Sequence, residues 1–122
     1  MRAPETIRQR RDFLAANQGR RVPSAGFVLL VRQRDDGSEA MRAGFTVTKK
    51  IGNSVTRNRL KRRLREIVRL TLPDHGHPGA DHVLIGREAG LTRDFATLRA
   101  DLERALAKAH LPPQPPKDGA RR

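Results

Sequence analysis

The apolar positions of this chain follow two different periods, which predict strands and helices in alternation. Residues 26–33, GFVLLVRQ, form an apolar, β-branched run, and residues 43–49, AGFTVTK, alternate apolar with polar side chains. Both patterns favour strands, the second with one buried and one polar face. The polar stretch RDDGSE between them has turn chemistry, so we predict that the two strands form a hairpin. Residues 81–87, DHVLIGR, predict a further strand.

Helical spacing of apolar side chains predicts three helices. The first covers residues 5–17, where Ile7 and Leu14 stand seven apart. The second covers residues 55–72, stops at Pro73, and is preceded by Asn53 or Ser54 as a candidate N-cap. The third opens at Leu91–Thr92, with Thr92 as N-cap and Asp94 in the first turn, and its apolar positions recur as far as Ala109.

The middle helix combines an apolar stripe with a run of like charge. Residues 49–69 read KKIGNSVTRNRLKRRLREIVR, in which nine residues are Lys or Arg and only Glu66 is acidic. At 100° per residue one stripe is formed by Leu60, Leu64, Ile67, Val68 and Thr71, which predicts packing on a sheet. The border of that stripe is formed by Arg57, Lys61 and Arg65, which would flank a cleft beside the sheet. Arg59, Arg62 and Arg63 are predicted to point further out.

The charge of the whole chain favours a polyanionic partner. The 122 residues fit one domain and carry a net charge of +13, with 32% charged and 36% hydrophobic residues. Nucleic acid and an anionic membrane surface are the candidates. A solvated helix face usually mixes charge signs, whereas Glu66 is the only acid here, so a bound anion is the better interpretation. The Gly-containing turn after Lys49 and Lys50, at a helix N-terminus, would suit phosphate.

Other features exclude several classes of protein. The chain has no Cys, and no apolar run approaches a membrane span or signal peptide, so we expect a soluble cytoplasmic protein. Only four Phe and no Trp or Tyr leave base stacking a small role. His75 and His77 fit solvated loop residues better than a metal pair, Asp35–Asp36 fits turn chemistry, and we expect no metal site. No nucleophile, base and acid constellation is visible, so we expect no catalytic residue.

The stretch KKIGNSVTRNRLKRRLRE resembles the signature of the bacterial ribonuclease P protein component, with its Arg-Asn-Arg triplet at Arg57-Asn58-Arg59. The likeness extends to RRDF, FVLLV, GFTVTKK and DHVLIGR and covers most of residues 7–108. The resemblance implies an α+β fold, a two-layer α/β sandwich of the ribonuclease P protein and ribosomal S5 domain 2-like type. It implies a mixed sheet of about four strands with three helices, a short extra strand near residues 20–24 and a left-handed βαβ crossover. We expect one domain over residues 1–111 and a disordered Pro/Arg tail over residues 112–122.

The resemblance also implies a function. The family's ribonucleoprotein removes the 5′ leader from precursor tRNA, the RNA subunit is catalytic, and Mg²⁺ is held mainly by the RNA subunit and the substrate. The implied leader-binding cleft is lined by Phe13, Phe27, Leu30, Thr46, Thr48, Arg57, Lys61 and Arg65. The implied contacts with the catalytic RNA are made by Lys49, Lys50, Asn53, Asn58, Arg59 and Arg62. Leu30 and Asn17 stand where relatives can carry aromatic residues, so leader binding here should depend more on phosphate charge than on stacking.

Four alternatives remain beside this interpretation. A structural RNA-binding protein such as a ribosomal protein has the same composition, but the long Arg-Asn-Arg signature argues against it. A DNA-binding regulator would need its basic helix free for a major groove. A membrane-surface helix would need its apolar face, which the core requires. An autonomous nuclease would cleave precursor tRNA without any RNA subunit. We therefore expect neither DNA nor a membrane as partner.

Overall fold

A computed structural model describes residues 4–109 as one mixed sheet with helices on both faces. The α+β class with three helices is confirmed, and α2 and α3 pack together on one face while the short α1 crosses the other. The predicted tail at 112–122 and His110 lie outside the described residues. The strands and α-helices follow in the order β1 (Glu5–Thr6), α1 (Arg10–Ala16), β2 (Arg20–Pro23), β3 (Phe27–Gln33), β4 (Arg42–Thr46), α2 (Ser54–His75), β5 (Ala80–Gly86) and α3 (Phe95–Lys108).

The predicted hairpin of β3 and β4 is wrong. The strand order is β1-β4-β5-β3-β2, so β5 lies between them, antiparallel to β3 and parallel to β4. The connection from β3 to β4 is long enough to step over one strand, and α2 supplies the crossover that a parallel pair requires. The hairpin in this sheet joins β2 to β3, where the Ser24 N–H donates to the Phe27 carbonyl at 2.8 Å. The hand of the β4-α2-β5 crossover remains an expectation from the resemblance.

The sheet has five strands where about four were expected, because the chain before α1 is extended. The Glu5 and Ile7 N–H groups donate to the carbonyls of Met41 and Ala43, at 2.8 and 2.9 Å, which adds β1 to the edge of β4. The predicted helix over residues 5–17 therefore shrinks to α1. Ile7 is buried ahead of that helix, whereas Leu14 is 54% exposed. The expected short strand near residues 20–24 is confirmed as β2.

The ends of the other two helices also differ from the prediction. Asn53 caps α2 as expected, accepting from the Thr56 N–H at 3.0 Å. The helix continues through Pro73, which lies in its last turn and is followed by a bond from the Gly76 N–H to the Leu72 carbonyl at 2.8 Å. Asp94, not Thr92, caps α3, since its carboxylate accepts from the Thr97 N–H at 3.1 Å. A 3₁₀ turn over Glu88–Leu91 takes up the residues before it.

Two hydrophobic clusters hold the layers together. The larger one lies between the sheet and the α2–α3 pair, and it contains the whole predicted stripe of α2 except Thr71, which is buried as well. The smaller one, under α1, joins Ile7, Ala16 and Phe13 to side chains of β3 and β5. The larger cluster therefore holds α2 by its apolar stripe, and the opposite face of the helix is presented to solvent.

Candidate nucleic-acid interface

The outward face of α2 and the turn before it carry cations without partners. Lys49 and Lys50 lie in a 3₁₀ turn over Lys49–Ile51 and are exposed. Neither these lysines nor Arg59 and Arg62 of α2 make an ion pair within residues 4–109. Asn53 is also exposed, but its side chain is engaged as the helix cap. We name this surface the outer face, formed by Lys49, Lys50, Asn53, Asn58, Arg59 and Arg62, all of which are exposed.

Arg63 does not belong to this surface, contrary to the prediction. Its guanidinium donates to the Gly90 carbonyl at 3.0 Å and also to the Arg93 carbonyl, so it ties α2 to the segment ahead of α3. Arg69 is exposed but paired with Glu66 on the same helix. The free positive charge is thus concentrated in the N-terminal half of α2.

A groove of about 430 Å³ lies between the N-terminal segment and α2, over the end of β4. It brings together three of the predicted leader-binding residues, Phe13, Thr46 and Lys61. Sequence reasoning missed Arg8 and Arg10, although both flank Phe13 in the run IRQRRDF. We name this site the α1 groove, lined by Arg8, Arg10, Phe13, Phe45, Thr46, Val47 and Lys61.

A second cavity, of about 290 Å³, adjoins the α1 groove through Phe45. Arg65 lies on its wall, with its guanidinium carbon 5.6 Å from the centroid of the Phe45 ring, a cation–π distance. Sequence reasoning did not single out this cavity. We name it the β1 cavity, lined by Pro4, Glu5, Thr6, Ala43, Phe45, Arg65, Val68 and Arg69.

Five predicted residues do not line the α1 groove: Arg65 lines the β1 cavity, and the other four are Phe27, Leu30, Thr48 and Arg57. Phe27 is fully buried in the cluster under α2 and α3, and Leu30, 2% exposed, is buried on the opposite face under α1. Successive side chains of a strand point to opposite faces, so these two positions of β3 cannot share a cleft. Thr48 is exposed beyond the end of β4. Arg57 is half-buried, and its Nε is buried without a hydrogen-bond partner among the described residues.

A buried carboxylate positions α1 beside the groove. Asp81, on β5, is fully buried and accepts two hydrogen bonds of 2.7 Å from Arg42 and one of 3.1 Å from Arg34. Burial alone would raise the pKa of Asp81, but the hydrogen bonds from Arg42 and Arg34 outweigh it and lower that pKa. Arg42 also reaches Asp12 of α1 at 3.5 Å. The residue after Asp12 is Phe13, so this chain of ion pairs supports the wall of the α1 groove.

The histidines are arranged differently from the prediction. His75 is exposed at the end of α2, as expected of a solvated residue. His77 is half-buried: its Nε2 lies 3.0 Å from the Leu106 carbonyl, and its backbone N–H donates to Nε2 of the buried His82 at 3.0 Å. No group of three or more potential metal ligands occurs within residues 4–109. No helix in that range is long and apolar enough to span a membrane.

Fold and surface together define a class of protein: a small α+β domain that holds an unpaired cationic helix beside a cationic groove. Comparisons with known proteins identify the family. The family model for ribonuclease P matches residues 1–110, and the chain belongs to this family, the protein component of ribonuclease P. The family's name implies an RNA partner.

Similar proteins cover nearly the whole chain. The ribonuclease P protein component of Erythrobacter litoralis is 54% identical over 106 residues, which are 87% of this chain and 86% of that one. The Ruegeria pomeroyi component is 52% identical over 108 residues, again 87% and 86% of the two chains. The solved structure of the Thermotoga maritima protein superimposes with a TM-score of 0.74 at 35% identity, over 87% of this chain and 98% of that one. These structural relatives confirm the predicted fold class, apart from the number of strands.

Proposed function

We propose that this protein is the protein subunit of a ribonucleoprotein that removes the 5′ leader from precursor tRNA by endonucleolytic cleavage. In this proposal the RNA subunit carries the catalytic centre, which makes the holoenzyme an endoribonuclease and a hydrolase. The protein binds the leader and the catalytic RNA and thereby raises the affinity for substrate and metal. It acts in the cytoplasm and has neither a membrane nor DNA as partner.

The proposal rests on the cations of α2 that have no ion-pair partner among the described residues. Its apolar stripe is buried, Arg63 and Arg69 are used within the protein, and Lys61, Arg59 and Arg62 have no ion pair within the described part of the chain. Like charges held this close repel one another, so the folded protein is matched to a bound polyanion. Family membership implies an RNA partner, which supports RNA as that polyanion.

We assign the two surfaces to two different RNA molecules, the substrate and the catalytic RNA. Lys61 belongs both to the α1 groove and to the border of α2, so we assign the leader to Phe13, Thr46, Thr48, Arg57, Lys61 and Arg65, and we add Arg8 and Arg10. Phe27 and Leu30 are removed from this set because they are buried. The outer face is exposed, cationic and polar, which suits the phosphate backbone of a large folded RNA. We assign it to the catalytic RNA.

The groove is unsuited to holding Mg²⁺ directly. Magnesium prefers carboxylate and other oxygen ligands, whereas the charged side chains of the α1 groove are all cationic. The ions of the holoenzyme are therefore held mainly by the RNA subunit and the substrate, and the protein assists them by neutralising phosphate charge around the leader.

The test is reconstitution with the cognate catalytic RNA at low Mg²⁺, comparing precursor tRNA with and without its leader. Lys61→Ala and Arg65→Ala should each weaken affinity for the leader-bearing substrate about five- to tenfold, since each removes one charge-assisted contact. Affinity for the leaderless substrate should not change. Arg21→Ala is the matched control, because Arg21 is exposed on β2 at the other edge of the sheet.

Two outcomes would contradict the proposal. Equal losses with leader-bearing and leaderless substrates would show that the α1 groove and the border of α2 do not bind the leader. Cleavage of precursor tRNA by the protein stripped of RNA would place the catalytic centre in the protein and support an autonomous nuclease instead.

A further inference from the structure

The β1 cavity has no role in the assignment above except through Arg65. It opens beside the α1 groove, and the ring of Phe45 lines both. Its volume of about 290 Å³ is at the lower end of the range for small-molecule pockets. A strand of RNA that runs along Lys61 towards Arg65 would pass its mouth, because the two residues stand one helical turn apart, about 6 Å along α2.

We propose that the β1 cavity receives a single nucleobase of the leader, turned out of the strand as it leaves the α1 groove. The inference rests on the proposed function and adds to it a site for one base. Single-stranded RNA is commonly recognised in this way, with unstacked bases placed against aromatic rings and Arg guanidinium planes.

The walls of the cavity suit a base and not a phosphate. Phe45, Ala43 and Val68 give it apolar sides, and the guanidinium of Arg65 faces the Phe45 ring. Glu5 is a carboxylate at the same site, which would repel a phosphate. A flat, uncharged ring can pack on Phe45 while the adjoining phosphates remain with Lys61 and Arg65. Arg69 contributes less, since Glu66 already neutralises it.

Polar groups at the rim can recognise the edge of a base. Glu5 and Ile7 direct their N–H groups to β4, so Thr6 between them has its N–H and carbonyl on the free outer edge of β1. The Glu5 carboxylate can only accept hydrogen bonds, and an exocyclic amino group offers it two N–H donors where uracil offers only its ring N3–H. The cavity should therefore prefer adenine, guanine or cytosine over uracil.

The experiment measures the affinity of the reconstituted holoenzyme for precursor tRNAs that carry one abasic nucleotide at successive leader positions. One position should be sensitive, with a loss of about five- to tenfold, in the range of one base stacked on an aromatic ring. Phe45→Leu keeps an apolar side chain but removes the ring, so it should weaken the intact leader by a similar factor. With Phe45→Leu, the abasic nucleotide at that position should cause no further loss.

Three further variants make the result specific. Phe45→Tyr keeps the ring and should keep the sensitivity to the abasic position. Glu5→Gln, an exposed change that the fold tolerates, should reduce the preference for amino-bearing bases over uracil at that one position. Phe95→Leu, a change of the same kind on α3, should behave as the wild type, because Phe95 is 36% exposed and lies outside both sites.

The inference is overturned if the abasic penalties are the same in the wild type and in Phe45→Leu, or if Glu5→Gln leaves the base preference unchanged at every position. In either case Lys61→Ala can still show a leader-dependent loss, and the proposed function stands without a base site. If Lys61→Ala also shows no leader-dependent loss, both proposals fail.

Discussion

At the scale of single residues, His82 shows how a buried polar group constrains the fold. Its Nε2 accepts from the His77 N–H, so the proton of the neutral ring is on Nδ1, which lies 3.2 Å from the Arg42 carbonyl. Both ring nitrogens are therefore satisfied only in the neutral form. Burial lowers the pKa of His82 to about 4, and the hydrogen bond to the Arg42 carbonyl opposes that shift only in part.

The lowered pKa of His82 predicts a loss of stability in mild acid. The unfolded chain takes up a proton near pH 6.5 and the folded chain only near pH 4, so the free energy of unfolding should fall as the pH drops from about 6.5 to about 4. The contribution approaches about 3 kcal/mol, because each pKa unit corresponds to about 1.4 kcal/mol. Urea unfolding at a series of pH values measures it.

The control is His75, which is exposed at the end of α2. His75→Gln should keep the steep part of the profile above pH 5. His82→Gln should flatten that part, even if it lowers stability at pH 7. A flattened profile in His75→Gln together with an unchanged profile in His82→Gln would contradict the prediction, because the pH dependence would then arise from His75.

At the scale of elements, the Phe13 side chain of α1 contacts β4 at a point where the strand has no side chain. A Cβ placed on Gly44 would lie 2.6 and 2.7 Å from ring atoms of Phe13 and 3.2 Å from Cβ of Ile7. The ring of Phe13 therefore occupies the space that Gly44 leaves. The position of Phe13 in the α1 groove depends on this contact and on the ion pairs from Asp81 through Arg42 to Asp12.

Gly44→Ala should accordingly displace α1. We expect a loss of about 1–3 kcal/mol in the free energy of unfolding, the usual cost of overpacking, together with weaker binding of leader-bearing substrate. Phe13→Leu in the same chain should restore part of the stability because the smaller side chain relieves the clash. Urea unfolding and affinity measurements with and without the leader give both values. Unchanged stability in Gly44→Ala would show that α1 is not held by this contact.

The elements also show what the sequence could and could not predict. The stripe and border of α2 followed from helical angle alone, so Lys61 and Arg65 were located correctly beside the sheet. The prediction that Phe27 and Leu30 line the same leader-binding cleft was avoidable, because an odd-numbered and an even-numbered residue of one strand face opposite sides of the sheet. The direction of Arg63 was not predictable, since it depends on carbonyls at Gly90 and Arg93 that approach only in the folded chain. The partner of β4 was likewise set by tertiary packing and not by the turn that follows β3.

At the scale of the whole molecule, the charge is large and unevenly used. The buried carboxylates Asp81 and Asp101 form ion pairs with Arg side chains. The exposed cations in the N-terminal half of α2 have no such partners among the described residues. Much of the net charge of +13 is therefore available on the surface to an anionic partner. Binding that arises in this way releases counterions from the RNA and is weakened by salt.

We therefore predict a steep salt dependence for the leader-dependent part of binding. If the five cations of the leader-binding set each neutralise one phosphate, the logarithm of that affinity should fall with the logarithm of salt concentration at a slope of about −3.5, since each phosphate of a single strand contributes about −0.7. The ratio of affinities for leader-bearing and leaderless substrate, titrated with monovalent salt, isolates this part. Lys61→Ala should make the slope shallower, and a nearly flat ratio in the wild type would contradict the prediction.

The central place of β5 has a consequence for how the chain reaches this structure. Both β3 and β4 pair with β5, whose residues follow them only after the whole of α2. A nascent chain that ends before Ala80 has two strands with unpaired edges and a cationic helix with an uncovered apolar stripe. The sheet closes through contacts of long sequence separation, which makes folding slow and leaves partial chains open to aggregation. Synthesis of the last third of the protein therefore decides when the cationic surface acquires its shape.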